Sequence, residues 1–175
     1  YDSWYRISYT VAYGTYGGSN FDRDSFSPPI TRSDTALVTT STFDSTGRVS
    51  RDTDPRGLVA ATEFDDAGRR TASIANYVNG TPSGATGDDD VFTRFVYDDG
   101  HMTQMWVDFD GLNDQDAGVD QVTTYTYGVP KGTSAGDSNI ASNSLLWKVT
   151  YPDSASGTDL VTFAYNALGQ EMWKK

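Results

Sequence analysis

A short motif recurs along this chain: an aromatic residue, Asp or Asn, two free positions, Gly and then a polar residue. The full copies are Phe43-Asp44-Ser45-Thr46-Gly47-Arg48, Phe64-Asp65-Asp66-Ala67-Gly68-Arg69 and Tyr165-Asn166-Ala167-Leu168-Gly169-Gln170. Tyr97-Asp98-Asp99-Gly100-His101 is a copy shortened by one residue. A turn signal that recurs between strand-like runs marks a repeat architecture. Asp or Asn at the first position of a type I turn bonds backbone groups two residues on, and Gly at the fourth accepts a positive φ that a Cβ would resist. Such a turn, closed by a left-handed Gly, is a common hairpin connection with a bulge. The aromatic ends the outgoing strand and offers a large ring to a half-buried face. The Arg, His or Gln opens the return strand. In the short copy, Asp99-Gly100 suffices for a two-residue type I′ turn. The turn-forming residues are therefore Asp44, Gly47, Asp65, Gly68, Asp98, Gly100, Asn166 and Gly169.

Between the turns the chain reads as strands. Tyr5, Ile7, Tyr9, Val11 and Tyr13 alternate with smaller or polar residues, the period of a half-buried strand. Further strands are expected over 37–43, 48–53, 58–64, 69–77, 91–97, 102–109, 121–127, 145–151, 160–165 and 170–173. No long segment carries a helical apolar period. The organisation expected is an N-terminal strand and loop over 1–36, then imperfect repeat hairpins over 37–175. Polar loops are inserted at about 79–90, 110–120 and 130–143. The fold class is all-β: successive antiparallel hairpins forming an extended, curved sheet.

This pattern resembles the YD repeat of the Rhs family, whose consensus is an aromatic, Asp, two variable residues, Gly and Arg. Thr53-Asp54-Pro55-Arg56-Gly57 matches the turn that usually stands between two copies in that family. The resemblance is closest over 39–75 and looser over 92–128 and 145–173. Departures are Asn166 for Asp, Gln170 for Arg, and uneven separations of 21, 33 and 68 residues from Phe43 to Phe64, Tyr97 and Tyr165. The resemblance implies strands that spiral into a hollow shell, which in the family encloses a C-terminal toxin or forms part of a large cell-surface or adhesion protein. Neither a toxin domain nor the family's self-cleaving region is recognisable in the chain.

Charge and composition narrow the function classes. The formal net charge is −11, and an acidic surface repels both phosphate backbones and anionic lipids. With no Cys there is no disulfide framework and no thiolate chemistry. No apolar run reaches the length of about 18 residues that a membrane helix needs. The chain has neither an initiator Met nor a signal peptide, which reads as a piece of something longer. A repeat cannot bury its sheet face alone, so the expected partners are further repeats of the same parent chain or copies of itself. The expected location is extracellular or at the cell surface.

Candidate chemistry is sparse. His101, the single histidine, stands where other copies carry Arg or Gln and reads as a polar residue opening a strand. Asp108, Asp110, Asn113, Asp114 and Asp116 place hard oxygens close together around Gly111, the composition of a calcium loop. The EF-hand pattern fails there, because Leu112 occupies a ligand position and no Glu closes the loop. The other reading of this stretch is a solvated insertion. Asp88-Asp89-Asp90 is a weaker ion site, read mainly as protection of a strand edge. Asp44 with Arg48 and Asp65 with Arg69 are expected as exposed pairs across their turns, worth about 0–1 kcal/mol each. Trp4, Trp106, Trp147 and Trp173 are expected mainly in the sheet core; stacked on an open face they would instead hold sugar rings.

The expectation that follows is a structural, non-enzymatic repeat segment of a β-shell, wall or fibre, with no cofactor required. The alternative is a carbohydrate-binding module using exposed Tyr and Trp, with the residues unknown. Third comes a glycosidase-like enzyme using paired carboxylates, although no spacing singles out two of the 24 acidic residues.

Overall fold

The computed structural model describes residues 1–13, 31–81, 88–108, 112, 115, 120–134, 136–152 and 159–174, the side chains of 173 and 174 excepted. Eleven strands follow one another: β1 (Tyr9–Tyr13), β2 (Ala36–Phe43), β3 (Val49–Thr53), β4 (Val59–Phe64), β5 (Arg70–Ala75), β6 (Val91–Asp98), β7 (His101–Val107), β8 (Gln121–Val129), β9 (Ser142–Thr150), β10 (Leu160–Tyr165) and β11 (Glu171–Lys174). They form one sheet in strict chain order, each neighbouring pair antiparallel. The sheet stays open. No helix occurs among the described residues, so the architecture is all-β and built from successive hairpins.

An up-and-down sheet sends alternate connections to opposite ends of its strands. One rim therefore gathers the turns of the recurring motif, between β2 and β3, β4 and β5, β6 and β7, and β10 and β11. The β8–β9 connection leaves from the same rim. The Asp54–Gly57 turn between β3 and β4 lies on the other rim, as do the β1–β2, β5–β6, β7–β8 and β9–β10 connections.

The pairing register slips beside each motif aromatic. Thr42 faces Arg51 while Phe43 faces Val49, and Glu63 faces Ala72 while Phe64 faces Arg70. Val96 faces Gln104 while Tyr97 faces Met102, and Ala164 faces Trp173 while Tyr165 faces Glu171. The return strand thus carries one extra residue each time: Ser50, Thr71, Thr103 and Met172. A bulge bends its strand and raises the local twist. Here it recurs at one height along the motif rim.

Burial is limited, as one layer requires. Among the described residues one compact cluster joins Ala61, Ala72, Ile74 and Phe92 across β4, β5 and β6, with Tyr77 against it. Ala61 faces Ile74, and Ile74 faces Phe92. Two expectations need correction. The first strand begins at Tyr9 rather than Tyr5, because residues 2–6 close a turn of their own. The tryptophans do not share a core: Trp106 is buried, whereas Trp4 is 77% exposed and Trp147 lies at the surface. The side chain of Trp173 lies outside the described residues.

Candidate functional site

The motif rim carries a regular series of charged and aromatic contacts, and one turn shows how it is built. Asp44 donates its amide to the Arg48 carbonyl (2.8 Å), and Gly47 donates to the Asp44 carbonyl (3.1 Å). Oδ1 of Asp44 accepts the amides of Thr46 and Arg48, each at 2.9 Å, while Oδ2 accepts Nε of Arg48 at 2.7 Å. One carboxylate thus holds both the backbone loop and the guanidinium. Gly47 lies at φ 91°, a region that its missing Cβ makes accessible. Asp65 and Arg69 repeat this network, with Nε at 2.7 Å and Gly68 at φ 82°. Asn166 reproduces it without charge: Oδ1 accepts the Leu168 and Gln170 amides, and Nδ2 donates to Oε1 of Gln170 at 2.9 Å. In the short copy Asp98 faces His101, and both Asp99 (φ 44°) and Gly100 (φ 81°) are left-handed, as a type I′ turn needs.

The guanidinium does not stop at its own turn. Arg48 lies 4.3 Å over the ring of Phe64, the motif aromatic of the next hairpin on this rim, and its Nη1 reaches the Asp65 carbonyl at 3.4 Å. A Cβ on Gly68 would stand 3.4 Å from that same Nη1. That is ordinary van der Waals contact, so Gly68 is required by the positive φ of its own turn. Arg69 repeats the stacking on Tyr97 at 4.6 Å. At His101 the imidazole takes over, its ring 4.5 Å from Tyr127 and tilted by 45°. Each motif arginine is therefore fixed by the Asp of its own turn and caps the aromatic of the following hairpin, whereas Nδ1 of His101 lies 3.1 Å from the Asp99 carbonyl. Arg48 and Asp44 are half-buried rather than exposed, which departs from the expectation of simple surface pairs.

A further copy sits at Tyr1-Asp2-Ser3-Trp4-Tyr5-Arg6. Asp2 and Arg6 close the turn (2.9 Å), Oδ1 accepts the Trp4 and Arg6 amides, and Arg6 lies 4.1 Å over Phe43. A Cβ on Gly47 would come within 3.3 Å of Nη1 of Arg6, again the place of the preceding guanidinium. The sequence conceals this copy because Tyr5 holds the glycine position, at φ 60°. The Tyr-Asp pair followed by Arg four residues on was the available signal.

The electrostatics follow from these bonds. Burial works to raise the Asp44 carboxyl, but the Arg48 amide, the Thr46 hydroxyl and the Arg48 guanidinium outweigh it and hold it well below the usual carboxylate range. Asp65 is lowered chiefly by the Arg69 amide, and Asp2 chiefly by the Arg6 side chain. Burial raises the Tyr127 phenol, with Tyr125 adding to it.

On the opposite rim Asp90 is buried, at 2% exposure. Its carboxylate accepts the amides of Val78 (3.0 Å), Asn79 (3.1 Å) and Gly80 (3.0 Å). Desolvation pushes Asp90 up, yet these amides and that of Thr81 prevail, and it stays below its ordinary value. Of the Asp88–Asp90 run, then, one member anchors a loop rather than guarding an edge. Of the calcium candidates, Asp108 is buried at the end of β7, while Asp110, Asn113, Asp114 and Asp116 lie outside the described residues. Among the described residues no group of three or more His, Asp or Glu is arranged to hold a metal ion.

No model of a known protein family matches this chain, and no curated protein matches it.

Proposed function

We propose that the chain is a structural segment of a YD-repeat protein of the Rhs type, forming part of a β-shell, wall or fibre at the cell surface or outside the cell. The observation that carries this reading is the relay of cations along one rim, each held by its own turn and stacked on the next hairpin's aromatic. Such a device couples neighbours and nothing else, which suits an array whose units contact only adjacent units. The bulge repeated beside each aromatic supports a steady bend, the geometry a shell wall needs. The resemblance drawn from Phe43, Asp44, Gly47 and Arg48 is strengthened by the role each plays in that relay. Its partners are further repeats, or a second copy whose strand extends the open sheet at β1 or β11.

Solution scattering over a range of protein concentrations, with electron microscopy of the same samples, tests this reading. Edge-to-edge growth into ribbons, curved plates or fibres is expected. A compact monomer at every concentration, whose tryptophan fluorescence is saturably changed by a polysaccharide, would replace it with the carbohydrate-binding alternative.

A further inference from the structure

One step of the relay departs from the rest, and it leaves a space. At Phe43, Phe64 and Tyr97 the motif aromatic is covered by a guanidinium, from Arg6, Arg48 and Arg69. At Tyr127 the covering residue is His101, shorter than arginine and without its fork of donors. The Asp of that turn, Asp98, is still in place, and Asp99 stands beside it. Among the described residues neither forms an ion pair with Lys or Arg. Between them lies an open concavity of about 310 Å³, bordered by Asp98, Asp99, His101, Tyr125, Tyr127 and Asn143. On a liquid-volume basis that space equals about ten water molecules, enough for a guanidinium and part of its stem.

We propose that this concavity binds a guanidinium group brought from outside the chain, the side chain of an arginine in a partner polypeptide. The chain itself displays the recognition chemistry three times, as a carboxylate gripping the guanidinium edge and an aromatic ring beneath its face. At the fourth position the turn's carboxylate and the ring are retained, while the imidazole of His101 replaces the guanidinium. Asp98 and Asp99 supply carboxylate acceptors, Asn143 adds an amide, and the Tyr125 ring with the stacked His101–Tyr127 pair supplies the π surface. Lysine fits this site poorly, since an ammonium has neither the planar face nor the paired donors. The inference does not depend on the shell reading: it stands whether the parent structure is a wall or a binding module.

The test titrates argininamide into the purified chain and follows the His101 imidazole and tyrosine ring resonances by NMR, with lysinamide as control. Saturable shifts with argininamide, and at least about tenfold weaker binding of lysinamide, are expected. His101→Arg should abolish the binding, because the chain's own guanidinium then fills the space. Asp98→Asn should weaken it about tenfold while leaving the turn formed. A peptide carrying one accessible arginine should compete with argininamide, which separates a polypeptide partner from a free small cation. Absence of saturation, equal binding of lysinamide, no competition by the peptide, or full binding by both folded variants overturns the proposal.

Discussion

Tyr5 and Asp90 show how much a single position contributes here beyond its apparent type. Tyr5 holds the left-handed place that Gly47 and Gly68 hold elsewhere, at φ 60°, and its side chain is 88% exposed. An L-residue in that region carries a steric cost of about 1 kcal/mol. Tyr5→Gly should therefore stabilise the chain by about that amount, read as a raised midpoint in thermal unfolding; an unchanged or lowered midpoint would show that the ring contributes more than the backbone loses. Asp90 presents the opposite case, a buried carboxylate satisfied by amides. Asn tolerates the same φ of 54° but offers one acceptor oxygen and a conflicting NH₂. Asp90→Asn should cost about 1–3 kcal/mol in chemical denaturation, with faster amide exchange at Val78 and Gly80 as its local signature.

Between hairpins, the coupling unit is the guanidinium on the next aromatic. Arg48 over Phe64 is the clearest instance, with its Nε held by Asp44. A double-mutant cycle with Arg48→Ala and Phe64→Leu should return a coupling of about 0.5–1 kcal/mol. Arg48→Lys should fail to recover it, since the ammonium loses both the Nε bond and the planar stacking. Additive single effects would mean that the two hairpins are held by strand pairing alone. The strands themselves were largely legible in the residue order: β3, β4, β6, β7 and β10 fall within a residue or two of the apolar and β-branched runs, because Gly and Asp punctuate them locally. β1 was not, because an extended alternation from Tyr5 to Tyr13 is indistinguishable from a turn followed by a short strand until Asp2 and Arg6 are seen to close it.

Across the whole molecule the depressed carboxylates set the pH dependence. Asp2, Asp44, Asp54, Asp65 and Asp90 are all held below their ordinary value in the folded chain. For such groups the stabilisation is complete above the unfolded value of about 3.9 and is lost as pH falls through the folded one. Tyr127 and Tyr165 are raised, so the folded state binds more protons and stability declines as pH rises past about 10. Thermal midpoints should be level from about pH 7 to 5 and drop below about pH 4. The measurement belongs in high salt, which screens the self-repulsion of a net charge of −11. A midpoint that rose on acidification under those conditions would remove the carboxylate turns as a stabilising feature.

Local chemistry decides the positions of the hairpins. An Asp that can accept its own loop's amides and a Gly free to adopt positive φ act within a handful of residues, so Asp44, Gly47, Asp65 and Gly68 announce their turns in the residue order. The partners that come together from distant parts of the chain do not announce themselves. That Arg48 rests on Phe64, that His101 leaves a concavity over Tyr127, and that Asp90 closes a loop twelve residues back at Val78 depend on how strands register against one another. Register is set by the pairing of whole strands and by the bulges at Ser50, Thr71 and Thr103, which only the assembled sheet brings into being.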